Sequence, residues 1–189
     1  RNRRQWAESW SRGIPRKKAL VLMGEPGIGK TSSALALAND FGWDRVEMNA
    51  SDHRNATSIN RVAGQGSVSQ TLTLDGEFKS TAQGKMKLII LDEADNLFGR
   101  EDYGGAKAIV EVIKASSQPI ILIVNDYYEL TRKASALKSL SESVVFRRLD
   151  KGAIVGVLTK IARTEGVSVG QGPLESIADN AAGDLRAAV

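Results

Sequence analysis

Apolar positions along the chain fall into two patterns. Three short runs are apolar throughout: Ala19-Leu-Val-Leu-Met23, Leu88-Ile-Ile-Leu91 and Pro119-Ile-Ile-Leu-Ile-Val124. Unbroken runs of that length predict strands buried on both faces of a parallel sheet. Arg45–Met48 and Val144–Arg147 predict two more short strands. Between the strands, helical spacing covers Arg3–Arg12, residues 30–41, Ile59–Ala63, Ala106–Ala115 and Leu130–Leu140. In the first of these, Trp6 and Trp10 stand one turn apart on a common face, a spacing that reads as core packing rather than base stacking. Gly13-Ile-Pro15 ends that helix. Residues 64–84, rich in Gly, Ser, Thr and Gln, show little periodicity and read as a long loop or insertion. Beyond residue 149 no strand pattern recurs. Ala153–Glu165, Leu174–Asn180 and the stretch from Asp184 read as three short helices. The alternation predicts an α/β fold: a parallel five-stranded sheet flanked by helices over residues 1–149, then a small all-helical lid over 150–189. The chain begins without methionine and stops inside an apparent helix. It therefore reads as part of a longer protein, with the lid truncated at its C-terminus.

Chemistry enters at the ends of the apolar runs. The first leads into Gly24-Glu-Pro-Gly-Ile-Gly-Lys-Thr31 and then into the helical Ser32-Ser-Ala-Leu-Ala-Leu-Ala38. Strand, glycine loop, Lys-Thr and helix form a phosphate-gripping unit, a P-loop. Loop N–H groups and the positive end of the helix face the phosphates. Gly24, Glu25, Pro26, Gly27, Ile28, Gly29, Lys30, Thr31 and Ser32 are the candidate nucleotide-binding residues. Lys30 is placed to reach the β- and γ-phosphates of ATP, and the Thr31 hydroxyl to ligate Mg²⁺. The second run ends at Asp92-Glu93-Ala-Asp95. At the carboxyl end of a sheet strand, Asp92 is placed to hold Mg²⁺ through water, and Glu93 to orient and deprotonate an attacking water. The third run ends at Asn125, whose polar side chain is well placed beside Asp92.

Composition narrows the alternatives. With no cysteine there is no disulfide framework, and the single histidine, His53, cannot build a zinc site alone. No apolar stretch approaches the ~20 residues that span a bilayer. Residues 1–18 carry seven basic residues and one acid, a net +6, while the rest of the chain sums to −2. The basic balance thus belongs to the N-terminal segment and suits either nucleic-acid contact or a solvated helix face.

Taken with a small helical lid containing Gly183-Asp-Leu-Arg186, the two ATPase motifs resemble those of the AAA+ ATPases. Within that group Asn49-Ala-Ser-Asp-His-Arg54 resembles a box found in the replication factor C clamp loaders. Gly99-Arg-Glu-Asp-Tyr-Gly-Gly105 is similar to a segment of their large subunit, in a form that looks archaeal. The resemblance implies a first sensor at Asn125, a second sensor at Arg186, and ATP-driven opening and loading of a sliding clamp onto primed DNA. It implies replication factor C small subunits as partners in a hetero-pentamer, together with the clamp and primer-template DNA, and no membrane. It also implies DNA-backbone contacts at Arg100, Lys107 and Lys114, clamp contact from residues 59–72, and a plain loop at 73–84. Small subunits carry a Ser-Arg-Cys motif near the last strand; here Ser141-Glu142-Ser143 stands there. This subunit would receive an arginine finger without donating one, although Arg132, Arg147 and Arg148 lie nearby. An archaeal protein would be cytoplasmic and nucleoid-associated, a eukaryotic one nuclear. The competing readings are another AAA+ DNA-handling ATPase (a replication initiator or branch-migration motor), a non-hydrolysing ATP-binding scaffold, and a small-molecule kinase.

Overall fold

A computed structural model describes residues 2–49, 70–72, 78–80, 86–98 and 105–189. Internal contacts divide the chain into two units, residues 1–23 with 31–144, and residues 24–30 with 145–189.

The first unit is built on a five-stranded sheet. Its strands are β1 (Ala19–Met23), β2 (Asp44–Asn49), β5 (Lys87–Asp92), β6 (Ile120–Val124) and β7 (Ser141–Val145). They lie in the order β2-β5-β6-β1-β7, with β2–β5, β5–β6 and β6–β1 paired in parallel. All of β6 and nearly all of β1 and β5 are buried, as their apolar runs require. Helix α3 (Gly105–Ala115) sets Ala108, Ile109, Val112 and Ile113 into the core made by Val21, Ile89, Leu91, Ile120 and Leu122. Those four positions form a single stripe at helical spacing. Helix α1 (Asn2–Ser11) buries Trp6 and Trp10, edge to face at 6.4 Å, and Trp6 meets Trp43 in the same way. The tryptophans are core residues.

Three expectations need correction. Within 64–84 the structure has a small antiparallel pair, β3 (Gln70–Leu72) with β4 (Phe78–Ser80). Three-residue strands are too short to leave a readable period. The helix expected over Leu130–Leu140 is two helices, α4 (Tyr127–Lys133) and α5 (Leu137–Leu140). At their junction Ala134 N still reaches back four residues to Leu130 O, but Leu137 N bonds Ala134 O only three back, so the ladder tightens and breaks. The last strand begins at Ser141 rather than Val144, and Arg147 lies beyond it. As an edge strand β7 alternates in burial, which hides it from a search for continuous apolar runs.

The second unit joins the loop 24–30 to three helices, α6 (Lys151–Thr164), α7 (Gln171–Ala181) and α8 (Leu185–Ala188). Ile154, Leu158, Leu174, Ala178, Ala181 and Ala188 make its own small core. Asp150 caps α6 by accepting from Ala153 N at 2.7 Å. Asp184 caps α8 by accepting from Arg186 N and Ala187 N. No helix among the described residues is long and apolar enough to cross a membrane.

Candidate active site

Helix α2 (Lys30–Asp40) starts directly behind the glycine loop, so the Lys-Thr pair forms its first turn. In the first unit the Thr31 hydroxyl donates to Asp92 Oδ2 at 2.8 Å. The two residues assigned to Mg²⁺ from sequence are thus together. Both are oxygen donors, and Mg²⁺ takes one or two such protein ligands, completing its shell with water and phosphate. The donor set fits that ion. Among the described residues no group of three or more His, Cys, Asp or Glu could hold a metal by itself.

Asp92 uses its other oxygen to accept from Glu93 N at 2.8 Å. Glu93 is exposed and sits at φ +53°, in the left-handed region. A glutamate held there costs about 1–3 kcal/mol, and such strain clusters where a side chain must be aimed. Its carboxylate accepts from Asn96 Nδ2 at 3.1 Å, on the 3₁₀ turn Ala94–Phe98. Asn125 follows β6 with its side chain exposed, and its backbone N–H donates to Asp95 Oδ2.

In the second unit Lys30 is buried, and its ammonium donates to the Gly24 carbonyl and to the Glu25 carbonyl at 2.7 Å. The Gly27 carbonyl accepts from Leu185 N at 3.0 Å and Arg186 N at 3.3 Å. Gly27 has φ +76°, and the Asp184 carboxylate fills the space a Cβ would need. Only glycine fits there. The Arg186 backbone is therefore tied to the phosphate loop while the residue itself is exposed. Arg148 donates to Glu25 Oε2 at 2.7 Å and to the Ala182 carbonyl at 3.1 Å. The bond to Glu25 raises its pKa above the ordinary arginine value.

Elsewhere the basic residues find ordinary partners. Arg3 pairs with Ser33, Arg4 with Glu8 at 3.1 Å, and Lys17 with Glu142 at 3.0 Å. Lys18 donates to the Lys114 carbonyl and, at 2.8 Å, to the Ser116 carbonyl, where it complements the negative end of α3. Much of the N-terminal charge is thus used within the molecule. Lys107 and Lys114 are exposed on α3, with Lys114 paired to Glu111 at 2.9 Å. Arg100, His53, residues 50–54 of the Asn-Ala-Ser-Asp box, the helix expected at 59–63, most of the 59–72 segment and residues 99–104 lie outside the described residues.

Sequence reading missed three residues that organise these arrangements: Asp95, Arg148 and Asp184. A signal existed for Asp184, since aspartate before a helical run is a capping pattern. None existed for Asp95 or Arg148, whose partners lie 30 and 123 residues away.

The family model described as "ATPase family associated with various cellular activities (AAA)" matches residues 20–149. The replication factor C large subunit of Archaeoglobus fulgidus is 50% identical over 186 residues, covering 98% of this chain and 38% of that protein. Its counterpart in Halobacterium salinarum is 46% identical over 185 residues, covering 98% and 36%. That of Haloarcula marismortui is 44% identical over 186 residues, covering 98% and 34%. The chain spans a little over a third of the length of these relatives.

Proposed function

The chain belongs to the AAA family of ATPases, and from that premise we propose that it is the ATP-hydrolysing part of a clamp loader's large subunit. On this reading ATP binding lets the assembly open and hold a sliding clamp, and primed DNA triggers hydrolysis and release. The observation that carries the reading is the Thr31–Asp92 pair beside the strained Glu93. The relatives named replication factor C large subunit add support.

Each residue then has a task. Lys30 leaves the Gly24 and Glu25 carbonyls for the β- and γ-phosphates. Thr31 and Asp92 hold Mg²⁺, which neutralises charge on the phosphates when bound. Glu93 takes the proton of the attacking water. Asn125 orients that water or the γ-phosphate. Arg186 reads the γ-phosphate from α8, a charge present with ATP and gone after hydrolysis. Glu142, in the place of an arginine finger, is engaged by Lys17. This subunit accordingly receives a finger and donates none. Arg100, Lys107 and Lys114 meet the DNA backbone, a contact independent of sequence and weakened by salt. The protein acts in the cytoplasm of an archaeal cell, in a hetero-pentamer with replication factor C small subunits. Residues 1–149 act as the nucleotide-binding domain and 150–189 as its lid.

The test is clamp binding by the full-length protein with its co-purifying subunits, in ATP, in ADP and without nucleotide. Tight binding only in ATP, lost in Lys30→Ala, is the expected result. Absence of clamp binding in all three conditions moves the assignment to an initiator or branch-migration motor of the same family.

A further inference from the structure

Asp95 stands two residues beyond Glu93 on the 3₁₀ turn that follows β5, and Asn125 directly follows β6. The two strands pair in parallel, Leu91 opposite Leu122, so their carboxyl ends lie side by side. Across that gap Asp95 Oδ2 accepts from Asn125 N at 3.0 Å and from Asp126 N at 3.2 Å. Its other oxygen is buried with no hydrogen-bond partner among the described residues.

Stability does not explain this arrangement. Asn125 and Asp126 are both exposed, so water would satisfy their N–H groups without a carboxylate. A buried, unsatisfied carboxylate oxygen is itself unfavourable. What the two bonds supply is direction: they fix the backbone on which the Asn125 amide is carried. We propose that Asp95 is a positioning residue for ATP hydrolysis, stapling the strand end that carries Asn125 to the segment that carries Glu93. The inference rests on the ATPase reading above, with Asn125 as a sensor.

The experiment uses the full-length protein with its co-purifying subunits, measuring steady-state turnover and the affinity for a fluorescent ATP analogue. Asp95→Ala is expected to lower kcat by at least about tenfold while leaving nucleotide affinity within about twofold, the signature of lost alignment without lost binding. Asp95→Asn keeps one acceptor oxygen and is expected to stay within about threefold of wild type. In an Asn125→Ala background, Asp95→Ala is expected to add less than about twofold, because a residue acting through Asn125 has nothing left to position. Any of three results overturns the proposal: unchanged kcat in Asp95→Ala, turnover in Asp95→Asn as low as in Asp95→Ala, or fully multiplicative losses in the double variant. Loss of nucleotide binding in both Asp95 variants also overturns it, marking a residue the fold itself needs. Glu93→Gln is the control for the underlying reading. Wild-type turnover in that variant removes Glu93 as the base, and no turnover in the wild type removes the ATPase reading itself, whereas a dead Glu93→Gln beside an active Asp95→Ala removes only the positioning role.

Discussion

Lys87 is the residue with the least obvious place in the molecule. It opens β5, is almost fully buried, and its ammonium has no hydrogen-bond partner among the described residues. Its register partner across the sheet is Asp44. Burial lowers its pKa from the ordinary 10.5, while the charge of Asp44 pulls the other way. Between the lowered folded value and 10.5 the unfolded chain binds more protons, so stability rises with pH through that window and is least below it. Lys87→Met removes the buried charge at similar length and is expected to raise stability by about 1–2 kcal/mol at neutral pH. The gain should shrink as the pH approaches 10.5. Urea unfolding at neutral and alkaline pH checks both parts. An unchanged neutral midpoint would mean that the ammonium is solvated or paired in solution.

Among the elements, the sheet strands differ from the helices in how much of their position was readable. A strand covered on both faces must be apolar at every position, and β1, β5 and β6 declare themselves for that reason. Strand β7 at the sheet edge obeys no such demand. Its Ser-Glu-Ser start, with Glu142 turned to Lys17, looks like loop. The break between α4 and α5 contains neither proline nor glycine and so leaves no breaker signal. For the small helices of the second unit, caps carry weight that the modest core does not. Asp150→Ala removes the acceptor for Ala153 N and is expected to destabilise that unit by about 1 kcal/mol. Amide exchange along α6 is the readout, with faster exchange confined to its first turn and to the helices packed on it. A loss spread evenly over both units would contradict the assignment of that cap to one unit.

At the scale of the whole molecule, the phosphate loop groups with the C-terminal helices. The hydrogen bonds from Leu185 and Arg186 to the Gly27 carbonyl, and the Arg148 bridge from Glu25 to Ala182, make that grouping physical. Truncation after Leu149 strips Gly27 of both donors and of the Asp184 carboxylate against it. Nucleotide affinity is expected to fall at least about tenfold, roughly the 1.4 kcal/mol or more of losing two backbone hydrogen bonds that shape the loop. Titration with a fluorescent ATP analogue measures it, and an unchanged affinity would mean that the loop keeps its form without the helices.

Sequence by itself determined the α/β alternation, the glycine loop with its Lys-Thr pair, and the acid pair at the end of β5. These are local: each rests on residues contiguous in the chain, whose pattern is dictated by burial on two faces or by the backbone freedom a phosphate loop needs. Tertiary structure alone decided that the Thr31 hydroxyl rests on Asp92, that Asp95 holds the backbone of Asn125, and that Arg148 bridges Glu25 to Ala182. Those bonds join residues 30 to 123 positions apart, and two polar groups that far apart leave no mark on the local sequence until the strands between them are placed in order. The strand order β2-β5-β6-β1-β7 is what sets the ends of β5 and β6 side by side.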